Sequence, residues 1–89
     1  MKISIVTIVR NNASQIRETM DSVLNQGFRD LEYIVIDGAS TDGTVREIEA
    51  YGDRLAAFVS EPDGGIYDAM NKGIARATGD VIGLINAGD

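Results

Sequence analysis

Four short apolar runs, at residues 3–9, 33–36, 55–59 and 81–85, are separated by three stretches with a different periodicity. The runs are mostly rich in Val and Ile and show little polar alternation, the pattern of strands buried on both faces. The intervening stretches place apolar residues at helical spacing. Ile16, Met20, Val23 and Leu24 fall on one face of a first helix, with Asn12 and Gln15 at capping-box spacing before it and Gly27 as a stop. A shorter second helix turns Val45 and Ile48 inward, with Thr41 or Asp42 as N-cap. The third spans about residues 66–78, with Ile66, Met70, Ile74 and Ala77 inward and Gly79 as C-cap. A β-α-β-α-β-α-β order predicts an α/β, Rossmann-like architecture: a mainly parallel sheet with right-handed crossovers and helices on both faces. The chain stops after the fourth strand, and three helices are a thin cover for such a sheet, so residues 1–89 read as the front part of a larger domain.

Composition narrows the chemistry. With no cysteine and no histidine, disulfides, thiolate metal sites and imidazole bases are excluded, leaving carboxylates, amides, hydroxyls and backbone groups. The net charge of −6 argues against a nucleic-acid partner, and it means that a phosphorylated ligand needs a bridging cation. No apolar run approaches the ~18 residues of a membrane span. Met1-Lys2 leads straight into a strand-like segment without signal-peptide grammar, so the expected location is the cytoplasm, at the inner face of the membrane for a full-length protein.

The polar motifs fall where each strand ends: Arg10-Asn11-Asn12, Asp37-Gly38-Ala39-Ser40-Thr41-Asp42, Glu61-Pro62-Asp63 and Asn86-Ala87-Gly88-Asp89. Ligands of open parallel sheets bind at the carboxyl ends of the strands, so these loops are the expected site. A dinucleotide-binding domain would carry G-x-G-x-x-G in the first turn. That turn here has no glycine, and no Walker A loop exists elsewhere. A receiver-like signalling domain with Asp37 as phosphoacceptor lacks its acid cluster after the first strand.

These same segments carry a resemblance. Ser4-Ile5-Val6-Thr7-Ile8-Val9-Arg10-Asn11, Ser22-Val23-Leu24-Asn25-Gln26 and Val35-Ile36-Asp37-Gly38-Ala39-Ser40-Thr41-Asp42-Gly43-Thr44 resemble, in order, the opening segments of family 2 glycosyltransferases. Gly64-Gly65-Ile66-Tyr67-Asp68-Ala69-Met70-Asn71-Lys72-Gly73-Ile74 is similar to that family's third helix, and Leu84-Ile85-Asn86-Ala87-Gly88-Asp89 to the segment ending in its metal-binding acids. The resemblance implies a GT-A-type fold, a nucleoside-diphosphate sugar donor, an acceptor hydroxyl on a glycan or lipid-linked acceptor, and a divalent cation, Mg or Mn. It implies inverting transfer in cell-envelope or surface polysaccharide synthesis.

Carried onto this chain, Ile8, Val9 and Arg10 wall the base pocket, with the Arg10 guanidinium where the family often has an aromatic. Asp37 accepts from base or ribose, although the family often has two consecutive acids where this chain has Asp37-Gly38. Ser40 and Asp63 are further nucleotide-sugar contacts, with capping a competing role for Ser40. Lys72 reaches the diphosphate unless it is a solvated helix charge. Asn86, Ala87 and Gly88 line the donor, and Asp89 is the single metal-binding carboxylate where the family has Asp-x-Asp. Asp68, Met70 and Ile74 are structural. The catalytic base is expected beyond Asp89, so no catalytic residue and no transferase activity are expected of these residues alone. The competing reading is a non-catalytic nucleotide-binding or assembly module, a homodimer through the exposed sheet edge and face.

Overall fold

In a computed structural model, which describes residues 1–87, the element order is β1 (Ile3–Val9), α1 (Ile16–Leu24), β2 (Leu31–Asp37), α2 (Thr44–Glu49), a 3-10 turn (Gly52–Arg54), β3 (Ala57–Ser60), α3 (Ile66–Arg76) and β4 (Val81–Ala87). The strands form one parallel sheet in the order β3-β2-β1-β4. The register brings Val9, Asp37 and Ala87 level at the carboxyl edge, with Ser60 beside Asp37.

The two-residue period of the strands divides the core into two. Val9, Tyr33 and Val35 pack with Ile16, Met20 and Val23 of α1 and Ile48 of α2. Val6, Ile8, Ile34 and Ile36 point the other way, toward Ala69 of α3. Two polar contacts are built into the first layer. The Thr7 and Tyr33 hydroxyls hydrogen-bond at 2.7 Å, and the Tyr51 hydroxyl donates to Asp21 at 2.6 Å, linking α2's end to α1. Burial pushes the Tyr33 phenol up to about 12.

Several local expectations are corrected. The strand expected at 55–59 starts at Ala57, because the 3-10 turn runs into Leu55 and Ala56 donates its backbone N–H to Tyr33 O before pairing begins. The start of α1 is closed by the Asn12 carbonyl, which accepts from Gln15 and Ile16 N–H, and among the described residues no side chain caps it. At α2 it is Asp42 that accepts the Thr44 N–H.

The largest correction concerns α3. Ala69 and Gly73 are its buried residues, while Ile66 and Ile74 are 49% and 41% exposed. A Cβ at position 73 would lie 2.2 Å from Val6 Cγ1, so glycine is what lets helix and sheet approach this closely. Met70 and Ala77 flank the contact, partly buried. Gly79 does not cap the helix, which ends at Arg76 with Ala77 already extended. Gly79 instead donates its N–H to the Ser4 hydroxyl, and a Cβ there would lie 2.5 Å from that oxygen.

Candidate functional site

The loops after β1 and β2 are fastened to each other by side chains. Asn11 and Ala39 adopt positive φ, at 50° and 58°, and the turns they make bring the two loops side by side. Asn11 donates its N–H to the Ser40 hydroxyl and accepts from Thr41 N–H through its amide oxygen. Asn12 N–H donates to the Thr44 hydroxyl, and Ala13 N–H to Asp42. Hydrogen bonds from the Thr44 hydroxyl first, then from the Thr44 and Ala13 backbone, hold the Asp42 carboxyl below its ordinary value.

Asp37 is the centre of this arrangement and is fully buried. One carboxyl oxygen accepts from the Ser40 hydroxyl. The other accepts from Ser40 N–H at 2.9 Å and from the Ser60 hydroxyl at 2.8 Å. Its place is therefore beneath the loop, where it ties the ends of β2 and β3 together, and it does not line the open edge. Ser40 serves the same fastening, with its hydroxyl shared between Asp37 and Asn11.

Above this layer a cleft of about 230 Å³ opens at the carboxyl edge, lined by Ile8, Val9, Arg10, Asp63, Gly65, Ile66 and Asn86. Five of these seven, namely Ile8, Val9, Arg10, Asp63 and Asn86, are the residues expected from the strand ends. Ile8 and Val9 are only 5% exposed and act as wall. Arg10 and Asn86 are exposed, and Asp63 is half-buried. Asp63 Oδ1 accepts from Gly65 N–H, closing a turn into α3. A second apolar groove adjoins, with Tyr67, Met70, Leu84 and Ile85 around the shared Ile8, Ile66 and Asn86.

Lys72 does not line this cleft. Its ammonium donates to Pro62 O at 3.0 Å, pairs with Glu61 at 3.1 Å and faces Asp68 at 3.6 Å. Desolvation alone would lower its pKa, but the hydrogen bond and charge of Glu61, with Asp68 and Asp63, hold it above the ordinary value. Lys72 thus clamps the β3–α3 loop. Ala87 is 4% exposed and packs in the core against the α1 layer. Gly88 and Asp89 lie outside the described residues. Gly65 and Ile66 were missed as lining residues. The paired Gly64-Gly65 was the available signal, since Gly65 takes φ 116° to turn the chain into α3.

Among the described residues no group of three acidic, histidine or cysteine side chains is placed to hold a metal ion. No described helix is long and apolar enough to cross a membrane.

Residues 4–89 match the profile of Glycosyl transferase family 2. The chain belongs to this family. An uncharacterized glycosyltransferase of Mycobacterium tuberculosis is 42% identical over 88 residues, covering 98% of this chain and 34% of the relative. A PGL/p-HBAD biosynthesis glycosyltransferase of Mycobacterium bovis is 34% identical over 90 residues, covering 97% and 35%. The chain therefore spans about a third of the length of these curated relatives. Among solved structures, S. aureus TarS 1-349 in complex with UDP-GlcNAc superposes with a TM-score of 0.81 at 28% identity, over 97% of this chain and 26% of that one. The mannosyltransferase PcManGT of Pyrobaculum calidifontis, in complex with GDP-Man and Mn2+, gives 0.82 at 30% identity, over 91% and 26%. The Rossmann-like α/β fold is thus of the GT-A type that these glycosyltransferases share.

Proposed function

We propose that residues 1–89 are the donor-binding part of a metal-assisted, inverting glycosyltransferase. The donor is a nucleoside-diphosphate sugar, UDP-linked by preference, and the acceptor a hydroxyl of a cell-envelope glycan or lipid-linked intermediate. The observation that carries this reading is the cleft at the carboxyl edge, where an apolar floor (Ile8, Ile66) meets a guanidinium (Arg10), a carboxylate (Asp63) and an amide (Asn86). An apolar slot rimmed by a few convergent polar groups is what a flat nucleobase with polar edges requires. Arg10 offers a planar face for stacking and donors for base carbonyls or phosphate.

The proposal includes a divalent cation, Mg or Mn, carried with the diphosphate, with Asp89 as its carboxylate. A chain of net charge −6 has reason to recruit one. In this reading these residues bind donor without transferring sugar, since the base that deprotonates the acceptor belongs to the part of the enzyme beyond Asp89. Calorimetric titration of UDP with and without Mn, on the wild type and on Asp89→Ala, is the test. Metal-dependent binding weakened at least about tenfold in the variant is expected. A folded chain that binds no nucleoside diphosphate would overturn the proposal.

A second reading has its own observation. Ile66, Tyr67, Ile74, Val81, Ile82 and Leu84 are 40% to 82% exposed on α3 and β4. A surface this apolar suits an assembly module that pairs with a second copy. Sedimentation across a concentration series separates the two, because self-association without nucleotide binding would favour the second.

A further inference from the structure

The unusual feature of the β2 loop is a missing side chain beside a buried acid. Gly38 is buried, and its backbone makes no demand for positive φ. What occupies the space is Asp63 from the next loop. Its Oδ2 would lie 2.9 Å from a Cβ at position 38, and the Arg10 Cδ 3.5 Å from it. Asp37, the carboxylate that a strand-end reading aims at the ligand, is instead sealed beneath Ser40 and Ser60. Among the described residues Asp63 is thus the only carboxylate lining the cleft.

Building on the donor-binding reading above, we propose that Asp63, seated over Gly38, is the base-reading group of the cleft. It would select a nucleobase that carries a ring N–H beside a carbonyl. Oδ1 is held by Gly65 N–H, which orients the carboxyl group and leaves Oδ2 to accept from a ligand. Uracil, thymine and guanine present such an N–H at the centre of the pairing edge, flanked by carbonyl oxygen to which Arg10 can donate. Cytosine and adenine present a lone pair there, which a carboxylate repels. Gly38 makes this possible by yielding its volume, so the loop after β3 supplies the reading carboxylate while the loop after β2 supplies only the space that seats it.

The test is calorimetry with UDP, GDP, CDP and ADP in the presence of Mn, on the wild type, Asp63→Asn and Gly38→Ala. The wild type should prefer UDP or GDP over CDP and ADP by about 10- to 100-fold, the size of a hydrogen bond to a charged group. Asp63→Asn keeps an oxygen for Gly65 N–H but can turn its amide to donate, so the preference should fall to about threefold or less. Gly38→Ala should do the same by pushing the Asp63 carboxylate out of its seat, with an unchanged urea midpoint showing that the fold survives. A preference that persists in Asp63→Asn, or a wild type that binds nucleotides without preference, overturns the assignment and leaves donor binding intact. A folded wild type that binds none of the four overturns both.

Discussion

The two ends of the sheet use carboxylates in opposite ways. At the amino end, Glu32 is consumed by its own chain. It accepts from the Ser4 hydroxyl, the Thr78 N–H and the Thr78 hydroxyl, and faces the Lys2 ammonium at 3.4 Å. The Thr78 N–H foremost, then the Ser4 hydroxyl, pull its carboxyl down to about 2. At the carboxyl end, Asp63 lines the cleft with one oxygen on Gly65 N–H and the other seated over Gly38. Asp37 lies at the carboxyl end yet resembles Glu32, since its donors all come from its own chain, from the loop after β2 and the end of β3. Saturation by the protein's own donors, more than position in the fold, separates a carboxylate that fastens from one available to a ligand.

The comparison can be broken by substitution, and the strongest blow falls on Asp37. Asp37→Ala removes a fully buried acceptor from the Ser60 hydroxyl and from the Ser40 hydroxyl and N–H, untying the ends of β2 and β3, and we expect it to cost about 3 kcal/mol in urea unfolding. A loss below about 1 kcal/mol would mean that the loops hold without it. Gly79→Ala, at the opposite end, drives a Cβ into Ser4 Oγ and to 2.8 Å from Ser4 N. Because backbone is involved, a cost of about 2 kcal/mol is expected from the same measurement.

Glu32→Gln is milder, at about 1 kcal/mol near neutral pH, because the Lys2 contact is solvated and the amide keeps one acceptor. Its sharper signature is in acid. A carboxyl held near 2 in the folded state but ordinary, at 4.5, when unfolded stabilises the protein above 4.5. That contribution is lost as pH falls from 4.5 toward 2, since the unfolded chain takes up the proton first. The urea midpoint of the wild type should drop across this window, and that of Glu32→Gln should drop less. Smallest of all, Asp63→Asn should leave stability within about 0.5 kcal/mol. A larger loss would place Asp63 with the fastening carboxylates and erase the contrast between the two ends.

Much of the architecture was legible from periodicity. Runs of Val and Ile, three amphipathic stretches and polar strand ends suffice for a parallel sheet with its loops on one edge, and Arg10, Asp63 and Asn86 follow from being at strand ends. The inward face of α3 was not legible this way. Ile66 and Ile74 keep helical spacing as well as Ala69 and Gly73 do, and a rule that sends large apolar groups inward picks the wrong pair. Close approach to Val6 reverses the choice, because only small residues fit between a helix and a flat sheet at that distance.

The fates of the charged groups separate along the same line. Sequence alone determined which residues can titrate, that no thiol or imidazole is among them, and which loop each occupies. Only the tertiary structure decided that Asp37 meets Ser60, that Lys72 meets Glu61 and the Pro62 carbonyl, and that Asp63 fills the space over Gly38. Periodicity is a local property, set by how each backbone presents successive side chains. Whether a carboxylate is spent or available depends on donors brought from loops far apart in the chain, and those meet only when the sheet has aligned the strand ends.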